Sequence, residues 1–170
     1  MKIKITKLES VTRQLDQAIE LFFFDKDIIS CLTLVWASRL IALDLAKHSQ
    51  THTWMQSLIK TEMIWEFENA MRKEQNFFKH AERDWFSDIE FEAQKLDWLL
   101  IDAIIIYEQI PDCKLTKNMS KFQMYFISNY PHLVDEKRRE IILKYLGDSG
   151  IPDKMFIWEA FEYWSSLGLV

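Results

Sequence analysis

The residues best suited to chemistry lie together in segment 75–84, which reads Gln-Asn-Phe-Phe-Lys-His-Ala-Glu-Arg-Asp. On a helix, Asn76 and His80 lie four residues apart on one face, while Lys79 and Arg83 share a neighbouring face. Histidine exchanges protons readily near neutral pH, and cations beside it bind phosphate and lower the pKa of its imidazole. One interpretation of the pattern is therefore a small anion or RNA-phosphate site. His80, Asn76 and Lys79 are the candidate catalytic residues, and Lys79 and Arg83 are candidate anion ligands.

A structural interpretation of the same segment stays open. Cations suit the negative end of a helix dipole, and a histidine there can bond to free main-chain carbonyl groups. Under that interpretation, Lys79 and His80 simply finish a helix. The two interpretations differ in whether the imidazole faces an open cleft.

Two further charged residues lie in strongly apolar segments. Arg39 belongs to segment 28–45, and Asp102 belongs to segment 99–106. A charge in such a setting needs a partner or must extend to the surface. Arg39 is therefore predicted either to pair with a buried carboxylate such as Asp102, or to point into the same cleft as His80 and act as a third anion ligand.

No metal site or cofactor is predicted. His48 and His52 are four residues apart, but no Asp, Glu or Cys completes a zinc-binding pattern with them. The chain also lacks a glycine-rich phosphate loop, a Gly-x-Ser-x-Gly elbow and a His-Glu-x-x-His motif. The sequence thus gives no support for an NTPase, an α/β-hydrolase or a zincin.

The composition favours long helices joined by short loops. The 170-residue chain is 49% hydrophobic and 14% aromatic, enough for a full-sized core. Its three Gly and three Pro are too few for a sandwich or barrel of short strands. A net charge of -5 argues against a simple basic nucleic-acid coat. Cys31 and Cys113 are expected to be buried free thiols in a reducing cytosol.

No targeting or membrane-crossing segment is expected. The N-terminal residues 1–5 lack the apolar core of a signal peptide. The most apolar run, 98–107, is shorter than the roughly 20 residues that span a bilayer. We therefore expect a cytoplasmic protein with no membrane partner.

Capping patterns and apolar periodicity predict an all-α protein. Residues 6–9 form a capping box, Asp27 is a good N-cap, and Gly168 follows the last helix. We expect a single domain, 1–170, in which 1–110 form a bundle of four to five longer helices and 115–170 add about three shorter, aromatic-rich helices. The predicted helices cover about 7–25, 28–45, 53–80, 92–109, 115–129, 135–146 and 153 to beyond 164, with 81–91 irregular.

The segment from Asn76 to His80 resembles part of the Arg-Asn-x3-His motif of HEPN domains, a group of small bacterial all-helical proteins. Many HEPN domains are metal-independent RNases of toxin–antitoxin, CRISPR-associated and antiphage systems. The resemblance implies that Arg holds the scissile phosphate, that His assists attack by the ribose hydroxyl, and that two sites meet in a dimer. The motif's Arg falls on Gln75, whose amide cannot supply the positive fork of a guanidinium.

A second resemblance covers residues 1–110. The opening 13–23 and the segment Asn-Phe-Phe-Lys-His-Ala-x-Arg-Asp, at 76–84, are similar to those of an uncharacterised bacterial family. No established activity comes with it.

Three functions are kept open. The first is a non-catalytic HEPN-like module, a homodimer through the helices flanking His80, that binds a protein or nucleic acid. The second is an active RNase toxin that uses His80 with Lys79 or Arg83. The third is a small-molecule enzyme or sensor with a Trp- and Phe-lined pocket between the bundle and the C-terminal helices.

Overall fold

The protein is all-helical throughout the ranges that the computed structural model describes, namely residues 2–47, 64–80, 86–133 and 153–168. These ranges contain no strand, which confirms the predicted all-α helical bundle. The elements are α1 (Lys7–Phe23), α2 (Ile28–Ala46), α3 (Ile64–Lys79), α4 (Lys95–Glu108), α5 (Lys117–Asn129), a 3-10 turn (Pro131–Leu133) and α6 (Lys154–Ser166).

Side-chain caps fix the starts of the first two helices. Thr6 and Glu9 form the predicted capping box: the Glu9 N–H donates to Thr6 Oγ1 at 3.1 Å, and the Thr6 N–H donates to Glu9 Oε2 at 2.7 Å. Asp27 accepts the N–H groups of Ile29 and Ser30 at 3.3 and 3.0 Å. Because these bonds satisfy otherwise unpaired amides, α1 and α2 begin at the predicted residues.

Local interactions also fix the two ends of α6, whereas the start of α4 differs from the prediction. Asp153 caps α6 by accepting the Phe156 N–H at 2.7 Å, and Gly168 follows with a positive φ of 70°. The fourth helix starts at Lys95 and not near residue 92, because residues 92–94 form turn bonds and Gln94 makes no side-chain cap. The predicted irregular segment is confirmed for residues 86–91, which form neither helix nor strand.

The core draws buried side chains from α1, α2, α4, α5 and α6. The first two helices pack against each other, α2 packs on α4, and α5 and α6 pack on α1. Burial of each large apolar side chain contributes about 1.5–3 kcal/mol relative to its exposure. Representative buried residues, one from each helix, are Leu15, Val35, Leu100, Phe122 and Phe161.

Helix α2 occupies the centre of this packing. It is the one helix in the described ranges that is long and apolar enough to cross a bilayer, a test that a buried core helix also passes. It contacts α1, α3 and α4, and it contributes Trp36 to the core. This packing on several sides suits a helix whose sequence is apolar around most of its circumference.

The C-terminal helices dock through aromatic rings, as predicted. The Trp158 ring of α6 lies 5.2 Å from that of Phe23 in α1, and Phe122 of α5 lies 5.1 Å from Phe22. Offset or edge-on pairs at these centroid distances are favourable beyond their buried area. The predicted helix at 135–146 and the predicted helix start at 53–56 lie outside the described residues.

The two thiols differ in accessibility. Both are free, and Cys31 is buried as predicted. The prediction was wrong for Cys113, which is only half-buried in the loop between α4 and α5. That loop follows Pro111 and includes Asp112 with a positive φ of 62°, so it leaves the core instead of continuing α4.

Candidate functional site

Asn76 and His80 line one open cleft at the C-terminal end of α3. The cleft has a volume of about 870 Å³, and α3 forms one wall with Asn69, Lys73 and Phe77. The irregular segment 87–90 forms the opposite wall. Positions 69, 73, 76 and 80 recur at helical spacing, so a single face of α3 lines the cleft.

His80 combines features of both interpretations that the sequence left open. Its N–H donates to the Asn76 carbonyl at 3.1 Å, which closes the last turn of the helix. Its side chain is half-buried and lines the cleft. A molecule that enters the cleft can therefore reach the residue, although its main chain also finishes α3.

Among the residues that the structure describes, the charges of the cleft do not form an anion site. Lys73 lies on the helical wall, whereas Asp88 and Glu90 lie on the opposite wall. These three charged side chains are exposed. Two carboxylates beside one ammonium repel a phosphate group more than they attract it, and they suit a ligand that carries positive charge.

The residue at the position of the HEPN arginine points away from the cleft. Gln75 is 7% exposed, and its Nε2 has no hydrogen-bond partner among the described residues. Five residues along a helix correspond to about 140° of rotation, so Gln75 and His80 occupy different faces. Its neighbour Glu74 is also buried and pairs with Lys95 of α4 at 2.9 Å, so this side of α3 faces the protein interior.

The remaining predicted site residues do not join Asn76 and His80. Lys79 is exposed on α3 but does not line the cleft. Arg83 lies outside the described residues. Arg39 is 1% exposed, and its Nε donates to Asp102 Oδ2 at 2.7 Å. The alternative in which Arg39 points into the His80 cleft as an anion ligand was therefore wrong, and the predicted buried pair is confirmed.

A second cavity lies between α1, α2, α4, α5 and α6, and its polar residues were not among the predicted site residues. Its volume is about 440 Å³. Four polar side chains converge at its wall. Tyr130 Oη donates to Asp97 Oδ2 at 3.0 Å, and Tyr125 Oη donates to the same oxygen at 3.3 Å. Gln94 Nε2 in turn donates to Tyr130 Oη at 3.1 Å.

Asp97 is the buried carboxylate of this second cavity. It is 7% exposed, and burial raises the pKa of its carboxyl, while the bonds from Tyr130 and Tyr125 act in the opposite direction. Burial likewise raises the pKa of the Tyr125 hydroxyl, so this group stays protonated and remains a donor. In the sequence, the signal for this site was the carboxylate of Asp97 beside the apolar Leu96. The two tyrosine partners of Asp97 could be identified only from the packing of the helices.

Lys154 closes one side of the cavity. Its Nζ donates to the Phe22 carbonyl at 3.2 Å and to Asp25 Oδ1 at 2.6 Å. The same ammonium lies 4.0 Å from the centroid of the Phe22 ring. These contacts hold the start of α6 against the end of α1, so the cavity wall depends on the docking of the last helix.

Within the described residues no group of three or more His, Cys, Asp or Glu side chains is placed to hold a metal ion. The sequence matches no protein-family model, and no curated protein or solved structure shows significant similarity to it.

Proposed function

We propose that this chain is a non-catalytic, HEPN-like helical module that binds a protein partner through the His80 cleft. The observation that carries the proposal is the position of Gln75. At the place of the motif's arginine the chain has a buried amide that faces the interior, while Asn76 and His80 line an open cleft. Without a guanidinium at the phosphate, a large part of the transition-state stabilisation is missing.

The charges favour a protein over a nucleic acid as the partner. Asp88 and Glu90 lie on the wall opposite His80, where they would repel a phosphate backbone. Phe86, next to this wall, is 99% exposed, and exposed aromatic rings frequently anchor protein interfaces. The expected partner therefore presents a basic segment beside an apolar pocket.

The non-catalytic part of the proposal has a direct test. Purified protein is incubated with a long single-stranded RNA without metal, and wild type is compared with His80→Ala. We expect both to leave the RNA intact, and production of either in bacteria to have the same effect on growth. Growth arrest by wild type that His80→Ala relieves would overturn the proposal in favour of an RNase toxin.

The binding part is tested by site-specific photo-cross-linking in bacterial cells that produce the protein. A photoreactive phenylalanine replaces Asn76 in the cleft, and a control protein carries it at the exposed Glu159 of α6. A discrete protein adduct is expected from position 76 and not from position 159. Charge reversal by Asp88→Lys and Glu90→Lys should reduce the yield of this adduct. Adducts to RNA alone, or none at all, would contradict the proposal.

In the homodimer expected from the HEPN resemblance, the protein partner is a second copy of this chain. An adduct of twice the chain mass from position 76 identifies a second copy of the chain. Sedimentation of the purified protein at micromolar concentration then provides an independent check. A monomer in that experiment, together with an adduct of another mass, assigns the cleft to a different protein.

The second cavity favours a further candidate function, the binding of a small molecule. A volume of about 440 Å³ lies within the range of ligand pockets. The cavity lies between the bundle and the C-terminal helices, and Phe22, Tyr125 and Tyr130 line it, whereas no described Trp does. Mass spectrometry of the denatured purified protein tests this candidate, because a ligand that survives purification is released on unfolding.

A further inference from the structure

We propose that the cavity at Asp97 binds a small organic ammonium compound, whose cationic group contacts Asp97 and whose apolar part packs on Phe22 and Tyr125. The inference rests on the small-molecule candidate described above and names the chemical class of its ligand. It is independent of the His80 cleft.

The first argument is the unused acceptor on Asp97. Both tyrosine hydroxyls donate to Oδ2, and no described residue donates to Oδ1. Asp97 makes no ion pair with any described residue, although the side chain is more than nine-tenths buried. A buried carboxylate without a cation in contact is costly, and a ligand ammonium would supply the missing charge-assisted bond.

The second argument is the aromatic surface around this carboxylate. The Phe22 and Tyr125 rings lie 5.1 Å apart and nearly perpendicular, and both line the cavity with Tyr130. Ammonium groups are attracted to aromatic faces, most strongly where water is excluded. The Lys154 ammonium already lies over the Phe22 ring, so the ligand ammonium is placed at Asp97 beside Tyr125 and its apolar part against the remaining ring surface.

The neighbouring lysines limit the ligand to a single positive charge. Lys154 is paired with Asp25, and Lys26 also lines the cavity. Both would repel a polycation, whereas a compound with one ammonium and one apolar group can place its charge at Asp97. Leu21, Ile28 and Leu96 supply apolar surface for the remainder of such a compound.

The experiment compares three probes of nearly equal shape on the whole chain. These are 2-phenylethylammonium, the neutral 2-phenylethanol and the anionic phenylacetate, titrated by calorimetry and by NMR of the tyrosine rings. We expect the ammonium probe to bind about tenfold more tightly than the alcohol, and phenylacetate to bind most weakly. Equal binding of the ammonium and the alcohol would overturn the ammonium inference but leave an apolar ligand pocket. Failure of all three to bind would overturn both.

Two variants assign the effect to the carboxylate. Asp97→Asn keeps an oxygen that can accept the tyrosine hydrogen bonds but removes the charge, and it should abolish the preference for the ammonium probe. Asp44→Asn removes an exposed carboxylate outside the cavity and should leave the preference unchanged. An unchanged preference in Asp97→Asn would overturn the proposal, and the probe comparison on wild type stands even if that variant folds poorly.

Discussion

Arg39 and Asp102 form an ion pair in the interior, with 2.7 Å between Arg39 Nε and Asp102 Oδ2 and both side chains almost fully buried. The pair joins α2 to α4 across 63 positions of sequence. The Arg39 guanidinium also lies 5.4 Å from the Trp36 ring, so an aromatic face covers part of the charge. A charged pair in this position links α2 to α4, which are both strongly apolar, and fixes how the two helices are aligned.

Removal of one member of this pair should cost far more than removal of both. Asp102→Leu or Arg39→Met removes one member of the pair while the other charge stays buried, and each should lower the free energy of unfolding by about 3–5 kcal/mol. The double variant Arg39→Met/Asp102→Leu should recover most of that loss. Urea unfolding of the four proteins measures the cycle. Single variants that cost less than about 1 kcal/mol would show that the pair is solvated.

Restoration of the motif arginine should not create an RNase. Gln75→Arg places a guanidinium on the interior-facing side of α3, where its desolvation should lower stability by about 1–3 kcal/mol. Lys79→Arg, on the exposed side of the same helix, is the matched control and should be neutral within about 0.5 kcal/mol. Thermal unfolding and an RNA cleavage gel provide the measurements. A stable Gln75→Arg protein that cleaves RNA would refute this account of the cleft.

The two cysteines should react at very different rates in the folded protein. Burial raises the pKa of the Cys31 thiol to about 12, and its Sγ donates to the Ala18 carbonyl at 3.1 Å. Burial also raises the pKa of the Cys113 thiol, but this group is half-buried in a loop and is more accessible. At pH 8, iodoacetamide should label Cys113 at least about tenfold faster, as peptide mass spectrometry will show. In urea both should react alike; equal rates in the native state would contradict the burial of Cys31.

Asp97 should make stability fall as pH rises. Burial raises the pKa of its carboxyl in the folded state above the unfolded value of about 3.9. Between these two values the native state binds more protons than the unfolded state, so the free energy of unfolding decreases as pH increases through the window. The Asp97→Asn variant lacks this pH-dependent contribution. The free energy of unfolding of the variant, relative to that of wild type, should therefore increase from pH 3 to pH 7.

The comparison in that pH experiment needs an exposed carboxylate as reference. Asp44→Asn, at the solvent-facing end of α2, should change stability by nearly the same amount at both pH values. Urea unfolding at each pH gives the difference for both variants. If the Asp97→Asn difference is also the same at both pH values, the carboxyl is solvated in the native state, which would contradict its burial.

The parts of the fold that could be predicted are those governed by local interactions. The caps at Thr6 and Asp27 each satisfy main-chain amides within three residues, so sequence spacing was sufficient to place them. The start of α4 was misplaced because Gln94 caps nothing with its side chain. The pair between Arg39 and Asp102 was also predictable, because a charge inside an apolar helix must find an opposite charge.

The candidate sites were only partly predictable. Asn76 and His80 share a face through their spacing within one helix, and that spacing alone brought them together. The convergence of Tyr125 and Tyr130 on Asp97 joins residues 28 and 33 positions apart and depends on how α5 packs against α4. No periodicity within a single helix carries that information. Lys121 illustrates the same limit, since it is buried over the Trp158 ring of another helix.

The docking of α6 has a consequence for synthesis on the ribosome. Trp158 covers Phe23 and the Lys121 ammonium, both of which precede it in the chain. A nascent polypeptide that has emerged only as far as Asn129 therefore leaves these groups uncovered. Until α6 follows, the growing chain leaves this aromatic surface uncovered, and transiently exposed surface of this kind is prone to aggregation.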